Sequence, residues 1–356
     1  MTHVVLIDPQ FQDNPDVERE VLPEPHKLDI VRLGEQKVDG KMFQGADAIV
    51  NCRSRHGLSE DVVNSFDTIK IIVQSGVGYD HIDLAACGRR GIPVCNTPDY
   101  GTMEVADHAI GLTLSLCRGI PAYDQRLHLR DDAWQTMALP VPPIRRLRTQ
   151  TFGVIGLGRI GLATALRAKA FQMRVVFFDP YLPPGAELAV GLERMGSLDD
   201  LLGQSDIVSI HTPLSPLTNE LINHEAIEKM KDNAILINTG RGKTVNLDAV
   251  EAGLRSGKLC AAGLDVLPVE PLDRSHPLIA AWTAREDWLE GRLVITPHAA
   301  FYSPESLRDI RRLAMQAVID YLPGGKLRSC VNLEYLQDNG FFVERRFGQH
   351  LWKPVS

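Results

Sequence analysis

Cysteine is scarce in this sequence: six of the 356 residues are Cys, and no two of them form a CxxC pair. This spacing excludes a disulfide framework and a zinc pattern, and it favours buried, reduced thiols in a cytosolic protein. Long apolar runs are absent too, since no stretch of about 18 apolar residues occurs. No signal peptide precedes the first apolar run, Val4–Ile7. We therefore expect a cytoplasmic protein without a membrane span or a metal site.

Basic charge is not in excess either. The net charge is −7 and the pI about 5.9, a balance that argues against non-specific binding to nucleic acid. Repeats and low-complexity tracts are also missing. Hydrophobic residues make up 44% and charged residues 23%, which is typical of a globular protein, and the length is sufficient for two domains.

Short apolar runs alternate with polar, helix-like segments along most of the chain. This alternation predicts parallel βαβ units and therefore an α/β fold, with a second series of units starting at Thr151. The expected strands are Val4–Ile7, Ala48–Asn51, Ile69–Val73, Val94–Asn96, Phe152–Ile155, Val175–Phe178, Ile207–Ile210, Ala234–Asn238, Ala261–Asp265 and Leu293–Ile295.

Two long segments have apolar residues at helical spacing. One runs from Met103 to about Leu129, and the other, from about Ser306 to Leu322, is the last expected helix. Between them, the Pro- and Arg-rich stretch Leu139–Arg148 has no clear period and predicts an irregular arm. The residues after Gly325 are not assigned to any element.

The strand expected at Phe152–Ile155 leads directly into a G-x-G-x-x-G sequence. Gly156 suits the tight turn, Gly158 allows the backbone to approach a pyrophosphate, and Gly161 allows the following helix to pack closely. Asp179 follows the next strand, 18 positions beyond Gly161, where a carboxylate binds ribose hydroxyls and repels a 2′-phosphate. The pattern predicts an NAD site, and the alternative is a structural turn with a chance acid. The loop residues assigned to this site are Gly156, Gly158, Arg159, Ile160 and Gly161.

Polar residues follow several of the later strands. Because ligands bind at the carboxyl ends of strands in open α/β sheets, these residues are expected at one edge. The polar residues are His211, Thr212, Thr239, Arg241, Asp265, Glu270 and His298, and Pro213 and Gly240 belong to the same turns. Cofactor binding is expected of His211, Thr212, Pro213, Thr239, Gly240 and Asp265.

An arginine, an acid and a histidine in this set suit the reduction of a keto acid. His298 would exchange a proton with the substrate near neutral pH, and Glu270 would hold its ring and favour the protonated form. Arg241 would polarise the carbonyl and bind the carboxylate. Each residue has an alternative role: a core histidine, a loop acid and a helix-capping arginine.

Together these motifs resemble the D-isomer-specific 2-hydroxyacid dehydrogenases over roughly Ile69 to Leu322. The resemblance rests on Gly156–Gly161 with Asp179, Asn238–Arg241, Leu264–Val266 with Glu270, and Thr296–His298. It implies that His298 is the acid/base, Glu270 its partner and Arg241 the substrate-binding arginine. It further implies substrate contacts at Gly76, Val77 and Gly78, whose backbone N–H groups would hold the carboxylate, and cofactor contacts at Thr102 and Asp265.

The resemblance also implies a domain arrangement. Two Rossmann-like, doubly wound domains are expected, with an NAD-binding domain (103–304) inserted into a flavodoxin-like substrate domain (1–102 and 305–356). A homodimer is expected as well, with the long helix and the Leu139–Arg148 arm as its interface.

Within the family, the chain looks closest to the C-terminal-binding-protein branch. The residues that carry this are Leu166–Phe171, Asp179–Leu182, Pro297–Ser303 and Asp107. Phe301 stands where that branch usually has Trp, so the substrate pocket is expected to differ there. The aromatic tail from Asn339 matches nothing in the family, and it would pack on its own domain or contact a neighbouring subunit.

Two functions follow from the sequence. The first is an NAD-dependent enzyme that moves a hydride between NAD(H) and a small 2-hydroxy or 2-keto acid. The alternative is an NAD(H)-sensing corepressor with weak dehydrogenase activity, as in the resembling branch. We favour the enzyme because the chain has no basic DNA-binding segment and no long disordered tail.

Overall fold

A computed structural model of the chain describes residues 1–11, 14–34, 36–52, 57–129, 134–135, 137–139, 142–339, 342–346 and 349–353. The chain forms two compact units, one made of Met1–Gly101 with Ser303–Ser356 and the other of Thr102–Tyr302. Arm residues Pro140 and Val141 and tail residues Phe341 and Phe347 lie outside the described residues.

The first unit is built on a five-stranded parallel sheet with the order β2-β1-β3-β4-β5, which is flavodoxin-like. Its central strands are continuous apolar runs because helices cover both faces of a parallel sheet. The strands are β1 His3–Ile7, β2 Lys27–Val31, β3 Ala48–Asn51, β4 Ile71–Gln74 and β5 Val94–Asn96, and the helices are α1 Asp16–Val21, α2 Glu60–Asn64 and α3 Leu84–Arg89.

The second unit contains a seven-stranded parallel sheet with the order β12-β11-β10-β9-β6-β7-β8. This is the Rossmann arrangement, and the strand order reverses between β6 and β9. The strands are β6 Thr151–Ile155, β7 Arg174–Phe178, β8 Glu193–Arg194, β9 Ile207–Ile210, β10 Ala234–Asn238, β11 Leu259–Leu264 and β12 Leu293–Ile295; the helices are α4 Thr102–Cys117, α5 Ile120–Leu129, α6 Arg159–Ala170, α7 Ala186–Val190, α8 Leu198–Gln204, α9 His224–Lys229, α10 Leu247–Ser256 and α11 Pro277–Thr283.

The C-terminal part of the first unit starts with a long helix whose buried face, Ala314 to Tyr321, packs on the apolar side chains of β1, β3 and β4. The tail then forms a small antiparallel sheet, of whose last two strands only the backbone is described. The elements are α12 Pro304–Tyr321, β13 Lys326–Leu327, α13 Leu333–Asp338, β14 Phe342–Arg346 and β15 Gln349–Lys353.

The single long helix expected from Met103 to Leu129 is wrong, because the structure has two helices there. Helix α4 ends at Cys117, and Gly119 adopts a left-handed φ of +64° before α5 begins. Pro121 explains the break: its ring would clash with the carbonyl four residues earlier, and it has no N–H to continue the helix, whereas the first turn of a new helix accepts it.

Two strands of the parallel sheets were not expected from the sequence. The residues of β2 are exposed or half-buried, and β8 has only two residues, so neither forms the apolar run that marks a buried strand. Both lie at sheet edges, where pairing needs no continuous apolar segment. The expected strands are present, with ends shifted by at most two residues.

Within the first unit, Arg311 of α12 pairs with Glu18 of α1. Its Nε and Nη2 atoms lie 2.9 and 2.6 Å from the two carboxylate oxygens, and Glu18 is only 2% exposed. Arg311→Met should lower the free energy of unfolding by about 3–5 kcal/mol, because it leaves a buried charge without a partner. The urea midpoint of the variant measures this. The neighbouring exposed arginine provides the control: Arg312→Met should leave the midpoint nearly unchanged, and equal midpoints for both variants would contradict the prediction.

Candidate active site

The glycine loop connects β6 to α6 as the sequence predicted. Gly156 has a φ of +87°, which favours glycine, and Gly158 is the residue before the first turn of α6. A Cβ on Gly161 would lie 2.0 Å from the Gly156 carbonyl oxygen, so this glycine allows the helix to pack on the loop. A Cβ on Gly158 would meet no atom within 4 Å. The loop therefore has open space beside Gly158, at the N-terminus of α6 where a phosphate is favoured.

Asp179 follows β7 and contacts the glycine loop. One carboxylate oxygen accepts the Leu157 N–H at 2.9 Å, and the other accepts those of Tyr181 and Leu182 at 2.9 and 3.1 Å. These backbone donors hold the carboxylate beside the loop, in the place where an acid recognises the ribose of a dinucleotide.

Two buried threonine hydroxyls follow the neighbouring strands β9 and β10. Thr212 Oγ1 and Thr239 Oγ1 have no hydrogen-bond partner among the described residues. Buried polar groups are normally satisfied, so such hydroxyls indicate a place where a bound molecule supplies the partner. With the open space at Gly158, they show that this edge of the sheet fits the expected dinucleotide. Pro213 and Gly240 lie next to them in the same two turns.

His211 also lies at this edge, but its properties differ from those of an acid/base. Burial lowers the pKa of its imidazole to about 4, so the ring is neutral at neutral pH. Its Nε2 atom lies 2.8 Å from Ser209 Oγ. His211 therefore lines the candidate site and does not act as its acid/base.

Arg241 is presented by a tight turn after β10. The Asn238 side chain accepts the Gly240 N–H at 3.0 Å and donates to the Arg241 carbonyl oxygen at 3.0 Å, which fixes the turn. A Cβ on Gly242 would lie 2.0 Å from the Leu267 carbonyl, so the turn packs directly on the segment that carries Glu270.

His298 and Glu270 form a close pair. His298 Nδ1 lies 2.7 Å from Glu270 Oε2, and the other carboxylate oxygen accepts the Leu267 N–H at 3.0 Å. Partial burial raises the pKa of Glu270, but the hydrogen bond and charge of His298, the Leu267 amide and the charge of Arg241 together hold it below its ordinary value. The carboxylate is therefore ionised at neutral pH and orients the imidazole.

The backbone of His298 is held in an unusual conformation. Its φ is +54°, which is uncommon for a residue other than glycine. The His298 N–H donates to the Asp265 carbonyl oxygen at 2.8 Å, and the Asp265 carboxylate accepts the N–H groups of Ala299 and Ala300 at 2.9 and 3.0 Å. Asp265 thus fixes the loop that aims His298.

The remaining predicted residues of the second unit lie at the starts of two helices or in the loop after β12. Thr102 is the first residue of α4, and Arg159 and Ile160 begin α6. The Phe301 ring packs edge-on to the His298 ring, with 6.5 Å between the centroids. Phe301 is therefore a neighbour of the candidate acid/base.

Gly76, Val77 and Gly78 lie in the first unit, just after β4. The Gly76 N–H is already donated to Thr97 Oγ1 at 2.6 Å, so it does not fit the expected role in binding a carboxylate. The N–H groups of Val77 and Gly78 have no acceptor in the described part of the chain. Of the three predicted N–H groups, those of Val77 and Gly78 therefore remain candidates for binding the substrate carboxylate.

Sequence reasoning did not assign a role to His108, which contacts Thr296 and Asp265. A signal was present: His108 lies three residues after Val105 and four before Leu112, so it is a polar residue on the apolar face of α4.

In the part of the chain that the structure describes, no helix is long and apolar enough to cross a membrane.

Comparison with known proteins shows the family. Residues 110–300 match the model of the D-isomer specific 2-hydroxyacid dehydrogenase, NAD binding domain. The chain is 36% identical to a glyoxylate reductase from Thermofilum pendens over 82% of this chain and 83% of that protein. It is 33% identical to a D-3-phosphoglycerate dehydrogenase from Archaeoglobus fulgidus over 83% of this chain, but this covers only 53% of that longer protein.

A solved structure shows the same likeness. A D-lactate dehydrogenase from Aquifex aeolicus, complexed with NAD and lactic acid, superposes with a TM-score of 0.76 and 29% identity, over 95% of this chain and 98% of that one. The chain belongs to the D-isomer-specific 2-hydroxyacid dehydrogenase family. It is an NAD-dependent oxidoreductase that transfers a hydride between NAD(H) and a small 2-hydroxy or 2-keto acid.

Two glycines of the loop separate ligand binding from folding. We expect Gly158→Ala to keep the melting temperature and to weaken NADH binding by at least about tenfold, because the added methyl group fills space that only a pyrophosphate needs. Gly161→Ala should instead lower the melting temperature, because its methyl group meets the Gly156 carbonyl. Fluorescence titration with NADH and thermal unfolding measure the two effects. Unchanged NADH affinity in Gly158→Ala would show that the cofactor lies elsewhere.

Proposed function

We propose that His298, Glu270 and Arg241 perform the hydride-transfer reaction on a small 2-keto acid or its 2-hydroxy product. The observation that carries this proposal is the 2.7 Å contact between His298 and Glu270 beside the turn that presents Arg241. All three residues follow strands of the sheet whose glycine loop fits NAD.

Bound NADH supplies the hydride when a keto acid is reduced. His298 supplies the proton: because Glu270 engages Nδ1, the other ring nitrogen, Nε2, donates to the substrate carbonyl oxygen and takes the proton back in the reverse direction. Glu270, whose pKa is lowered, remains an anion and stabilises the protonated imidazole.

Arg241 binds the substrate carboxylate and polarises the carbonyl. Its planar guanidinium offers forked N–H donors that match a carboxylate. One of these atoms, Nη1, donates to the Gly240 carbonyl oxygen at 2.9 Å, which orients the side chain. The substrate role of Val77 and Gly78 stays a prediction from the family resemblance, as does a cytoplasmic location.

The proposed roles predict distinct kinetic defects. His298→Ala should lower kcat by about a hundred- to ten-thousandfold, the range of a general acid, with NADH affinity retained. Arg241→Ala should mainly raise the KM for the keto acid. NADH oxidation measures both effects with glyoxylate, hydroxypyruvate, pyruvate, phenylpyruvate and a methylthio-substituted keto acid. Nearly full activity of His298→Ala at neutral pH would overturn the acid/base assignment. Equal kcat/KM values of the wild-type protein for NADH and NADPH would contradict the expected role of Asp179 in repelling a 2′-phosphate.

The relation to the C-terminal-binding-protein branch rests on the short motifs around Leu166–Phe171 and Pro297–Ser303. The relatives named above are a reductase and two dehydrogenases, and they give no support to a corepressor. Absence of turnover on every keto acid, together with tight NADH binding, would be the result that favours the corepressor.

We also propose a homodimer formed through α4, α5 and the arm. Large apolar side chains are exposed at the end of α5 and in the segment between α5 and the arm: Leu129 is 67% exposed, Trp134 81% and Met137 84%. Solvent exposure of several such side chains in one segment is typical of an interface. Sedimentation should give the mass of a dimer at micromolar concentration, whereas Trp134→Lys with Met137→Lys should shift the equilibrium to monomer. A wild-type monomer at that concentration would refute the proposal.

A further inference from the structure

His108 of α4 makes contacts that the proposed reaction does not yet use. Its Nε2 atom lies 3.0 Å from Thr296 Oγ1 and 3.7 Å from Asp265 Oδ1. The ring occupies the apolar face of α4 and is about a quarter exposed, with a side-chain exposure of 27%. Thr296 is two residues before His298, and Asp265 is the residue that fixes the His298 loop.

The number of donor protons on His108 and Thr296 determines which atom donates in each hydrogen bond with Asp265 and between them. Thr296 has one hydroxyl proton, and its Oγ1 atom donates it to Asp265 Oδ1 at 2.6 Å. The hydroxyl can then only accept from His108, so His108 carries a proton on Nε2 and donates it. The result is a directed series of hydrogen bonds from His108 to Thr296 to Asp265.

Asp265 needs these donors because its side chain is almost completely buried, with 2% exposure of the residue. Burying a carboxylate is costly unless hydrogen bonds or opposite charges compensate it. Among the described residues, no arginine or lysine pairs with Asp265, and its side-chain partners are the Thr296 hydroxyl and, at 3.7 Å, the His108 ring. Two backbone N–H groups of the His298 loop supply the rest.

Asp265 also determines the backbone position of His298. Its carboxylate oxygens accept the N–H groups of Ala299 and Ala300, and its backbone carbonyl oxygen accepts the His298 N–H. Together these hydrogen bonds hold His298 at its left-handed φ. Such a conformation persists only where the surroundings over-determine it. Loss of one member of the donor series would therefore displace His298 from Glu270 and from the substrate.

We propose that His108 is a positioning residue for His298 and acts through Thr296 and Asp265. The inference rests on the proposed acid/base role of His298. It assigns to His108 a requirement for one Nε2 hydrogen bond, which a glutamine amide at the same position can also donate and a leucine cannot.

The test compares His108→Leu with His108→Gln. His108→Leu should lower kcat by about ten- to a hundredfold, because a small misplacement of a catalytic group costs that much, while KM for NADH and keto acid changes by less than about threefold. His108→Gln should stay within about threefold of wild-type kcat, since the amide restores the donor. His224→Leu, on the exposed start of α9, is the control and should leave kcat unchanged.

Thr296 provides a second, independent pair of variants. Thr296→Ser keeps the hydroxyl and should retain activity, whereas Thr296→Val removes it and should reproduce the kcat defect of His108→Leu. The double variant His108→Leu/Thr296→Val should be no slower than either single variant, because both interrupt one series of hydrogen bonds. If His108→Leu does not fold, as judged by thermal unfolding, the Thr296 pair decides.

The outcomes separate this inference from the proposed function. Full kcat in His108→Leu or Thr296→Val, with His298→Ala inactive, overturns the role of His108 alone. Equal losses in His108→Leu and His108→Gln also overturn it, because the hydrogen bond would then not be what matters. Full activity of His298→Ala overturns the proposed function and the inference with it.

Discussion

The buried carboxylate of Asp265 is the interaction on which the candidate active site depends. It lies at the end of β11 and accepts hydrogen bonds from the Thr296 hydroxyl and from two backbone amides of the His298 loop. Water competes little for a group this buried, so each of these bonds is strong and losing one is costly. This is why His298 can be held in a backbone conformation that most residues avoid.

Parallel strand topology brings the other residues to the same edge. Gly156, Asp179, Arg241 and Glu270 are spread over more than a hundred positions, yet each follows the carboxyl end of a strand in one sheet. The strand order reverses between β6 and β9, which opens a crevice between the turns that follow them. The dinucleotide and the reacting groups therefore converge without any of their residues being close in sequence.

Different physical signals explain which predictions succeeded. The sequence predicts the glycine loop because its turn, its helix start and its backbone contacts each require a glycine at a particular position. The buried strands were readable because a parallel sheet covered on both faces needs continuous apolar runs. The fold class is confirmed by the sheet orders and by the relatives, whereas the roles of the site residues stay proposals. The edge strand β2 was missed because half of its surface is solvated and it forms no such run. The break before Pro121 was missed because apolar periodicity continued across it.

The sequence by itself determined the βαβ alternation, the NAD fingerprint and the list of groups able to move a proton, since these depend on residue types at short, local spacings. Only the tertiary structure decided which of those groups meet. It placed the His298 ring in contact with Glu270, left the His211 ring neutral and half-buried, and paired the Gly76 N–H with the Thr97 hydroxyl. It also placed His108 beside Asp265. Such contacts join residues that are distant in sequence, and they depend on packing and burial that no local pattern contains.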